Sequence, residues 1–186
     1  MRLYHGSQVE SFVPTFGLGD DTHDSGYDVV RGWRADASKH PYDEVYLPEV
    51  IEEQGKLFER LQDAPEPIDS ADFITAFMHG YTRRQLDEGH AYYLTLDAER
   101  MKKVFLKESG YIPKRGEPLR GFMPNWIGQF YACAQWRWNT SSAELCDRLP
   151  VEALCAVYPG AHDLDLNTAV EKLGRPVFAA TAESGV

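Results

Sequence analysis

The sequence predicts an α+β protein that is mainly helical, with a small β-containing N-terminal part followed by a C-terminal helical bundle. Residues 1–38 hold five glycines and two short β-like runs, Arg2–Tyr4 and Tyr27–Val30. Glycine-rich turns between short runs of aromatic and β-branched residues are typical of strands and loops. From about Tyr42 onward, apolar residues instead recur at the spacing of amphipathic helices.

Two helices are predicted at the start of the helical sequence. The apolar face of the first consists of Val50, Ile51, Leu57, Phe58 and Leu61. Pro65 and Pro67 end this helix, because proline does not continue a helical pattern. Asp69 or Ser70 is expected to cap the next helix, since a short polar side chain can accept a free amide of the first turn.

Shorter elements complete the first part of the chain, which we assign to residues 1–108. Thr82–Glu88 is predicted as a further helical piece. Tyr92–Thr95 is a candidate short strand, because its residues favour extended structure. Asp97 is expected to cap another helix. A loop rich in Gly and Pro at 109–122 marks the boundary of a C-terminal helical unit.

The C-terminal helical unit is assigned to residues 109–175. Its first helix, Trp126–Trp138, combines helical spacing with aromatic residues on all sides. We interpret it as a core helix, with a partner interface as the alternative, because Trp and Tyr are enriched in interfaces. Ser141-Ser-Ala-Glu144 has the pattern of a capping box at the start of the next helix.

Two further helices and a tail follow. Val151–Tyr158 is predicted as a helix that stops at Pro159-Gly160, because neither residue favours a helix interior. Asp165 is expected to cap the last helix and Gly174 to terminate it. Residues 176–186 are interpreted as a tail.

The composition argues against several classes of protein. The chain has 43 % hydrophobic residues, which is typical of a globular protein, and no apolar run of about 18 residues that could span a membrane. We find no N-terminal signal peptide and expect a cytoplasmic protein with no membrane partner. The net charge of −10 argues against general nucleic-acid binding.

The charge is unevenly distributed along the chain. Residues 40–99 carry 14 acidic and four basic residues, whereas residues 100–120 carry seven basic and two acidic ones. The seven basic residues are Arg100, Lys102, Lys103, Lys107, Lys114, Arg115 and Arg120. Solvated faces account for most such runs. The alternative is a basic patch for an anionic ligand or an acidic partner.

Metal binding is not expected. Cys133, Cys146 and Cys155 form no Cys-x-x-Cys pair and fall in helix-like sequence. We therefore expect them to be buried, reduced side chains. No two histidines show the His-x-x-x-His spacing of a helical metal site.

The clearest indication of a functional site is the N-terminal run Leu3-Tyr4-His5-Gly6-Ser7. A short strand here would end in an imidazole followed by a glycine, where the backbone can approach a ligand closely. The structural alternative is a strand that simply contains a histidine.

Three motifs resemble parts of a bacterial ADP-ribosyltransferase-like family: the first two resemble its opening, and the third resembles one of its later strands. The first is Leu3-Tyr-His-Gly-Ser7, and the second is Pro14-x-Phe-Gly-x-Gly followed by His23-Asp24. The third is Tyr27-Asp-Val-Val-Arg-Gly-Trp-Arg-Ala-Asp-Ala-Ser38. All three lie within residues 3–38, in the order expected for the family.

The resemblance implies that the chain binds NAD as a substrate. It assigns His5 to the nicotinamide-side ribose, the backbone of Gly6 to the nicotinamide amide, and Ser7 to support of the strand that also holds Tyr4. The family also stacks an aromatic residue on nicotinamide, but the segment that carries it is missing here. Tyr27 is the candidate replacement, with membership of the later strand as its alternative.

The family's final motif places a glutamine or glutamate just before a short strand. Its nearest counterpart is Asp87-Glu-Gly-His-Ala-Tyr-Tyr-Leu-Thr95, in which Glu88 or His90 is the candidate catalytic residue. Cleavage of the NAD glycosidic bond requires a fixed nicotinamide, a carboxylate that stabilises an oxocarbenium-like centre, and an acceptor held in line. His5 and Glu88 form a minimal set, and the alternative for Glu88 is a solvated side chain.

The leading hypothesis is an NAD-binding, mono-ADP-ribosyltransferase-like protein of a bacterial toxin or defence type. The alternative is a non-enzymatic helical interaction module of the antitoxin or immunity type. That module would bind a protein partner through the aromatic-rich C-terminal helical unit, and its N-terminal motifs would be a remnant without a working pocket.

Overall fold

A short antiparallel ladder precedes the helices. The computed structural model of the chain describes residues 27–28, 33–34 and 40–178. Strand β1 (Tyr27–Asp28) pairs with β2 (Trp33–Arg34), with Tyr27 opposite Arg34. With two residues in each strand, this ladder is too short to form a layer on which helices could pack.

The described residues from 40 onward form nine α-helices and two short 3-10 segments, at Glu44–Tyr46 and Arg60–Asp63. The α-helices are α1 Leu47–Glu59, α2 Ser70–Met78, α3 Tyr81–Asp87, α4 Ala91–Leu94, α5 Ala98–Ser109, α6 Met123–Trp138, α7 Ser142–Arg148, α8 Val151–Ala161 and α9 Leu166–Phe178.

The predicted α+β fold class is wrong, because the described part of the chain is a helical assembly. The candidate strand Tyr92–Thr95 contributes to this error, since Tyr92–Leu94 lie in the single-turn helix α4 and Thr95 is its C-cap. Tyr93 and Leu94 are buried there among helices. Burial against a helical core outweighs the strand preference of these side chains. The predicted strand at Arg2–Tyr4 lies outside the described residues.

Helices α1 and α6 form the most extensive helix pair. Their backbones approach closely where Gly128 faces Gln54 and Gly55. A methyl group on Gly128 would lie 2.5 Å from the carbonyl oxygen of Gln54. The Gln54 amide donates a hydrogen bond to the carbonyl oxygen of Gly128 at 3.0 Å, which satisfies a buried polar group at this crossing.

One hydrophobic core includes helices from both sides of the 109–122 loop. Helix α6 contributes Trp126, Phe130, Tyr131 and Trp136, each no more than 8 % exposed. A helix that is apolar on all sides belongs in the interior of a fold. The interpretation of Trp126–Trp138 as a core helix is therefore confirmed.

Four predicted helix caps are confirmed. In each of them the side-chain oxygen accepts a hydrogen bond from the amide three residues further on, at 2.8–3.0 Å. The capping residues are Asp69, Asp97, Ser141 and Asp165.

Two predicted helix ends are wrong. Helix α8 continues through Pro159-Gly160 to Ala161, and α9 continues through Gly174 to Phe178, into the predicted tail. Gly174 has a packing role, because a methyl group there would lie 2.4 Å from the indole nitrogen of Trp138. A small residue in a helix can thus serve close packing rather than termination.

Candidate functional site

Glu88 and His90 lie together at the end of α3. Glu88 directly follows the last residue of α3, and His90 directly precedes α4. The Nε2 atom of His90 lies 3.2 Å from Oε2 of Glu88, and the Gln85 amide donates to the same oxygen at 2.9 Å. The Glu88 side chain is 21 % exposed and that of His90 12 %. The two candidate catalytic residues thus form a partly buried carboxylate–imidazole pair.

Gly89 shapes the turn that joins this pair. Its φ angle is +72°, in the left-handed region that glycine adopts without a steric penalty. A methyl group at this position would lie 2.4 Å from the carbonyl oxygen of Pro41. The chain at Pro41 therefore packs directly against the turn between Glu88 and His90.

The segment at His40–Tyr42 is also held against α6. The rings of His40 and Trp136 stack with their centroids 3.6 Å apart, and His40 Nδ1 lies 3.0 Å from the carbonyl oxygen of Trp136. The indole of Trp136 donates to the carbonyl oxygen of Tyr42 at 3.0 Å. These contacts hold residues 40–42 against α6, and Pro41 in this segment packs against the turn between Glu88 and His90.

A buried ion pair lies next to this site in the sequence. The side chain of Arg83 is fully buried, and one of its terminal nitrogens lies 3.5 Å from Oδ1 of Asp87. Asp87 accepts hydrogen bonds from the backbone amide of Ser142 at 2.8 Å and from its hydroxyl at 2.6 Å. Asp87 thereby links the end of α3 to the first residue of α7.

Burial dominates the electrostatics of Asp87. Loss of solvation raises the pKa of its carboxyl to about 6, although the Arg83 charge and the hydrogen bonds from Ser142 favour the ionised form. Burial likewise raises the pKa of the Tyr42 phenol. The guanidinium of Arg83 and the hydroxyl of Tyr42 have no hydrogen-bond partner in the described part of the chain.

Exposed aromatic and cationic side chains lie near the Glu88–His90 pair. Tyr92 is 48 % exposed and Tyr81 is 37 % exposed. The Arg84 guanidinium lies 5.2 Å from the centroid of the Tyr81 ring, within the range of a cation–π contact. Tyr93 packs edge-on against Tyr81, Tyr92 and His90. We call the exposed residues Tyr81, Arg84 and Tyr92 the tyrosine patch.

Chemically, the arrangement presents one carboxylate oxygen that is already oriented by two neighbours. Because Glu88 is only partly solvated, its interaction with a cationic centre would be screened less than that of a fully exposed carboxylate. The remaining Glu88 oxygen lies 3.8 Å from Nε of Arg84, itself 57 % exposed. Such a carboxylate is suited to stabilising a developing positive charge.

Sequence reasoning missed Arg83, Asp87 and Ser142 as a buried polar group. Arg83 and Asp87 are four residues apart on a predicted helix, a spacing that usually indicates a solvated ion pair. The sequence of α3 offered little signal for their burial, because Leu86 is its one aliphatic residue. Ser142 carried a second signal, because it begins a helix whose cap had been predicted.

The predicted cofactor-binding residues Tyr4, His5, Gly6 and Ser7 lie outside the described residues. For Tyr27 the structure describes the backbone, which pairs with Arg34. The structure therefore brings Glu88 and His90 together, and the assignments of the N-terminal motif and of Tyr27 to NAD stay predictions.

The remaining chemical features carry no site. Cys133 and Cys146 are buried and Cys155 is partly exposed, and all three are free thiols. Burial raises the pKa of each of them. Within the described ranges, no cluster of three or more His, Cys, Asp or Glu side chains is placed to hold a metal ion. None of the described helices has the length and apolar character to cross a membrane.

Comparison with known proteins identified no relative. No protein-family model, curated protein or solved structure matches this chain.

Proposed function

We propose that this chain binds NAD as a substrate, as an ADP-ribosyltransferase-like protein of a bacterial toxin or defence type. The site would combine Tyr4–Ser7 with the Glu88–His90 pair. The observation that carries the proposal is that Gly89, which joins Glu88 to His90, packs against Pro41. The last motif of the family resemblance ends at Ser38, three residues before this contact.

Glu88 has the environment that the proposed chemistry needs. Transfer of ADP-ribose breaks the bond between the ribose and nicotinamide, and nicotinamide leaves with the electron pair. Positive charge then develops on the ribose before an acceptor nucleophile forms the new bond. A carboxylate oriented by Gln85 and His90 would stabilise that charge without further reorganisation.

The test is release of nicotinamide from NAD by the full chain and by Glu88→Gln, with water as the acceptor that attacks the ribose and gives ADP-ribose and a proton. We expect the wild type to release nicotinamide and Glu88→Gln to lose at least about 100-fold in rate, the size of effect seen when one preorganised electrostatic group is removed. Glu99→Gln is the matched control, because Glu99 is 64 % exposed and pairs only with Lys103 on its own helix in the described structure. Equal rates for Glu88→Gln and Glu99→Gln would contradict the proposal.

A second candidate is a helical interaction module of the antitoxin or immunity type. The tyrosine patch favours it, because Tyr and Arg are enriched among the residues that dominate binding energy. Four aromatic rings of α6 are buried in the core and that of Trp138 is partly buried, so a partner would have to bind elsewhere on the helices.

If the chain is an interaction module, we expect it to form a stoichiometric complex with a partner protein, and we expect that complex to depend on the tyrosine patch. Replacing Arg84 and Tyr92 with alanine should weaken the complex, as measured by analytical ultracentrifugation. Tyr46→Ala is a control of similar exposure, at 42 %, in the 3-10 segment before α1. A complex that tolerates the patch variant as well as Tyr46→Ala would exclude this surface as the interface.

A further inference from the structure

A groove lies between the segment at residues 64–68, helix α5 and the loop at 113–115. Its volume is about 410 Å³, within the range of ligand-binding clefts. Its apolar wall includes Pro65, Pro67, Leu106 and Pro113. We call this feature the proline groove. Rigid proline rings provide an apolar surface that loses little conformational entropy when it is covered.

One side of the proline groove has extended backbone. Ile68 and Arg115 form an isolated antiparallel bridge. The Asp69 amide donates to the Lys114 carbonyl at 2.9 Å, and the Gly116 amide donates to the Pro67 carbonyl at 3.2 Å. In this pattern the amide and carbonyl of Arg115 itself point away from Ile68. No backbone hydrogen bond within the described ranges uses them, so this edge can accept an added strand.

The rim of the proline groove is basic in a strongly acidic chain. Lys102, Lys114 and Arg115 line it, with Glu66 as the acidic lining residue. Lys114 pairs with Asp72. Lys102 and Arg115 form no ion pair in the part of the chain that the structure describes. The net charge of the whole chain is −10, so this local cationic rim has the charge that complements an anionic partner.

We propose that the proline groove binds an extended acidic peptide segment of a partner protein. The peptide backbone would pair with the free edge at Arg115, its apolar side chains would cover the prolines, and its carboxylates would pair with Lys102 and Arg115. A peptide fits better than a nucleic acid, because the groove lining has no aromatic ring on which a base could stack. This inference does not depend on NAD binding.

The test is fluorescence anisotropy of a labelled eight-residue peptide that alternates glutamate and valine. We expect the wild type to bind it with an affinity that falls as salt is added. Lys102→Glu and Arg115→Glu should each weaken binding by about tenfold or more. Lys103→Glu should retain wild-type affinity, because Lys103 is the adjacent residue of α5, is 71 % exposed and pairs with Glu99.

Two further probes separate the parts of the proposal. A peptide with methylated amides at alternate positions should bind more weakly, because it cannot complete the backbone pairing. A lysine–valine peptide should not bind. The proposal is overturned if wild type binds no glutamate–valine peptide, if Lys103→Glu weakens binding as much as Lys102→Glu, or if a single-stranded RNA oligonucleotide competes for the same residues with higher affinity.

Discussion

Asp87 joins α3 to α7 through a buried carboxyl whose pKa is raised to about 6. The same group in an unfolded chain titrates near 4. The folded protein therefore binds this proton more tightly than the unfolded chain does. The resulting contribution to stability is full below about pH 4 and is lost as the pH rises through about 6.

We predict that acidification from pH 7 to pH 5 stabilises the wild type relative to Asp87→Asn. The expected difference in the free energy of unfolding between the two pH values is about 1 kcal/mol, measured by urea denaturation. Asp63→Asn changes an exposed aspartate and should retain the wild-type response. An unchanged pH response in Asp87→Asn would show that Asp87 is not the titrating group.

At Gly89 both the backbone conformation and the packing of neighbouring residues disfavour a side chain. Gly89 and Gly110 each have a positive φ angle, but only Gly89 has neighbours that would contact an added methyl group. We predict that Gly110→Ala costs about 1 kcal/mol of stability through backbone strain. Gly89→Ala should cost about 1–3 kcal/mol more, because the methyl group would displace Pro41.

Thermal and denaturant unfolding of both glycine variants measure this difference. Equal destabilisation would mean that the contact between Pro41 and the Glu88–His90 turn contributes nothing beyond backbone conformation. That result would also remove the structural support for a composite NAD site.

Single-residue predictions succeeded where the chemistry is local. Asp97 and Asp165 could be identified as helix caps, because capping depends on one side chain and an amide three residues away. Burial of Arg83 and Asp87 could not be predicted in the same way. It depends on α7, which is distant in sequence and supplies Ser142.

At the level of helices, apolar periodicity located most elements but not their ends. The composition of Tyr92–Thr95 predicts a strand. In the structure, packing of Tyr93 and Leu94 in the core favours the helical turn α4 instead. A glycine at position 174 predicts the end of a helix. In the structure α9 continues past Gly174, where the absence of a side chain leaves space for the Trp138 ring. In both cases a tertiary contact, rather than the local conformational preference of the residues, determines the secondary structure.

The close crossing of α1 and α6 makes a sharp prediction at this scale. Gly128→Ala should destabilise the protein by about 1–3 kcal/mol, because its methyl group would press on the backbone of Gln54 and Gly55. Gly160→Ala is the matched control in α8, where nothing lies within 4 Å. It should be neutral or stabilising by up to about 1 kcal/mol.

The midpoint of chemical denaturation reports both glycine changes in the helices. If Gly128→Ala were as stable as Gly160→Ala, α1 and α6 could move apart to accommodate the methyl group without a loss of stability. The α1–α6 pair would then not be the rigid centre of the fold.

At the level of the whole molecule, the core unites sequence on both sides of the 109–122 loop. The helical character of residues 40–178 follows from periodicity that the sequence shows directly. The central place of α6 could be predicted only in part, because an aromatic helix can serve a core or an interface. The structure explains its composition by burial of twelve of its sixteen residues.

The sequence identified the parts of the proposed composite site separately. The pairing of Glu88 with His90 is local and depends on the turn at Gly89. Its position beside Pro41 depends on how residues 40–42 pack against α6, which no sequence pattern indicates. The proposal of NAD binding rests on the resemblance together with this position.

We propose above all that NAD binds at a site that includes His5. The most direct measurement is a calorimetric titration of NAD into the full chain and into His5→Ala, with His79→Ala as a control on an exposed histidine. We predict micromolar to millimolar binding by the wild type and His79→Ala, and none by His5→Ala. Absence of binding by the wild type, or unchanged binding by His5→Ala, would contradict the account.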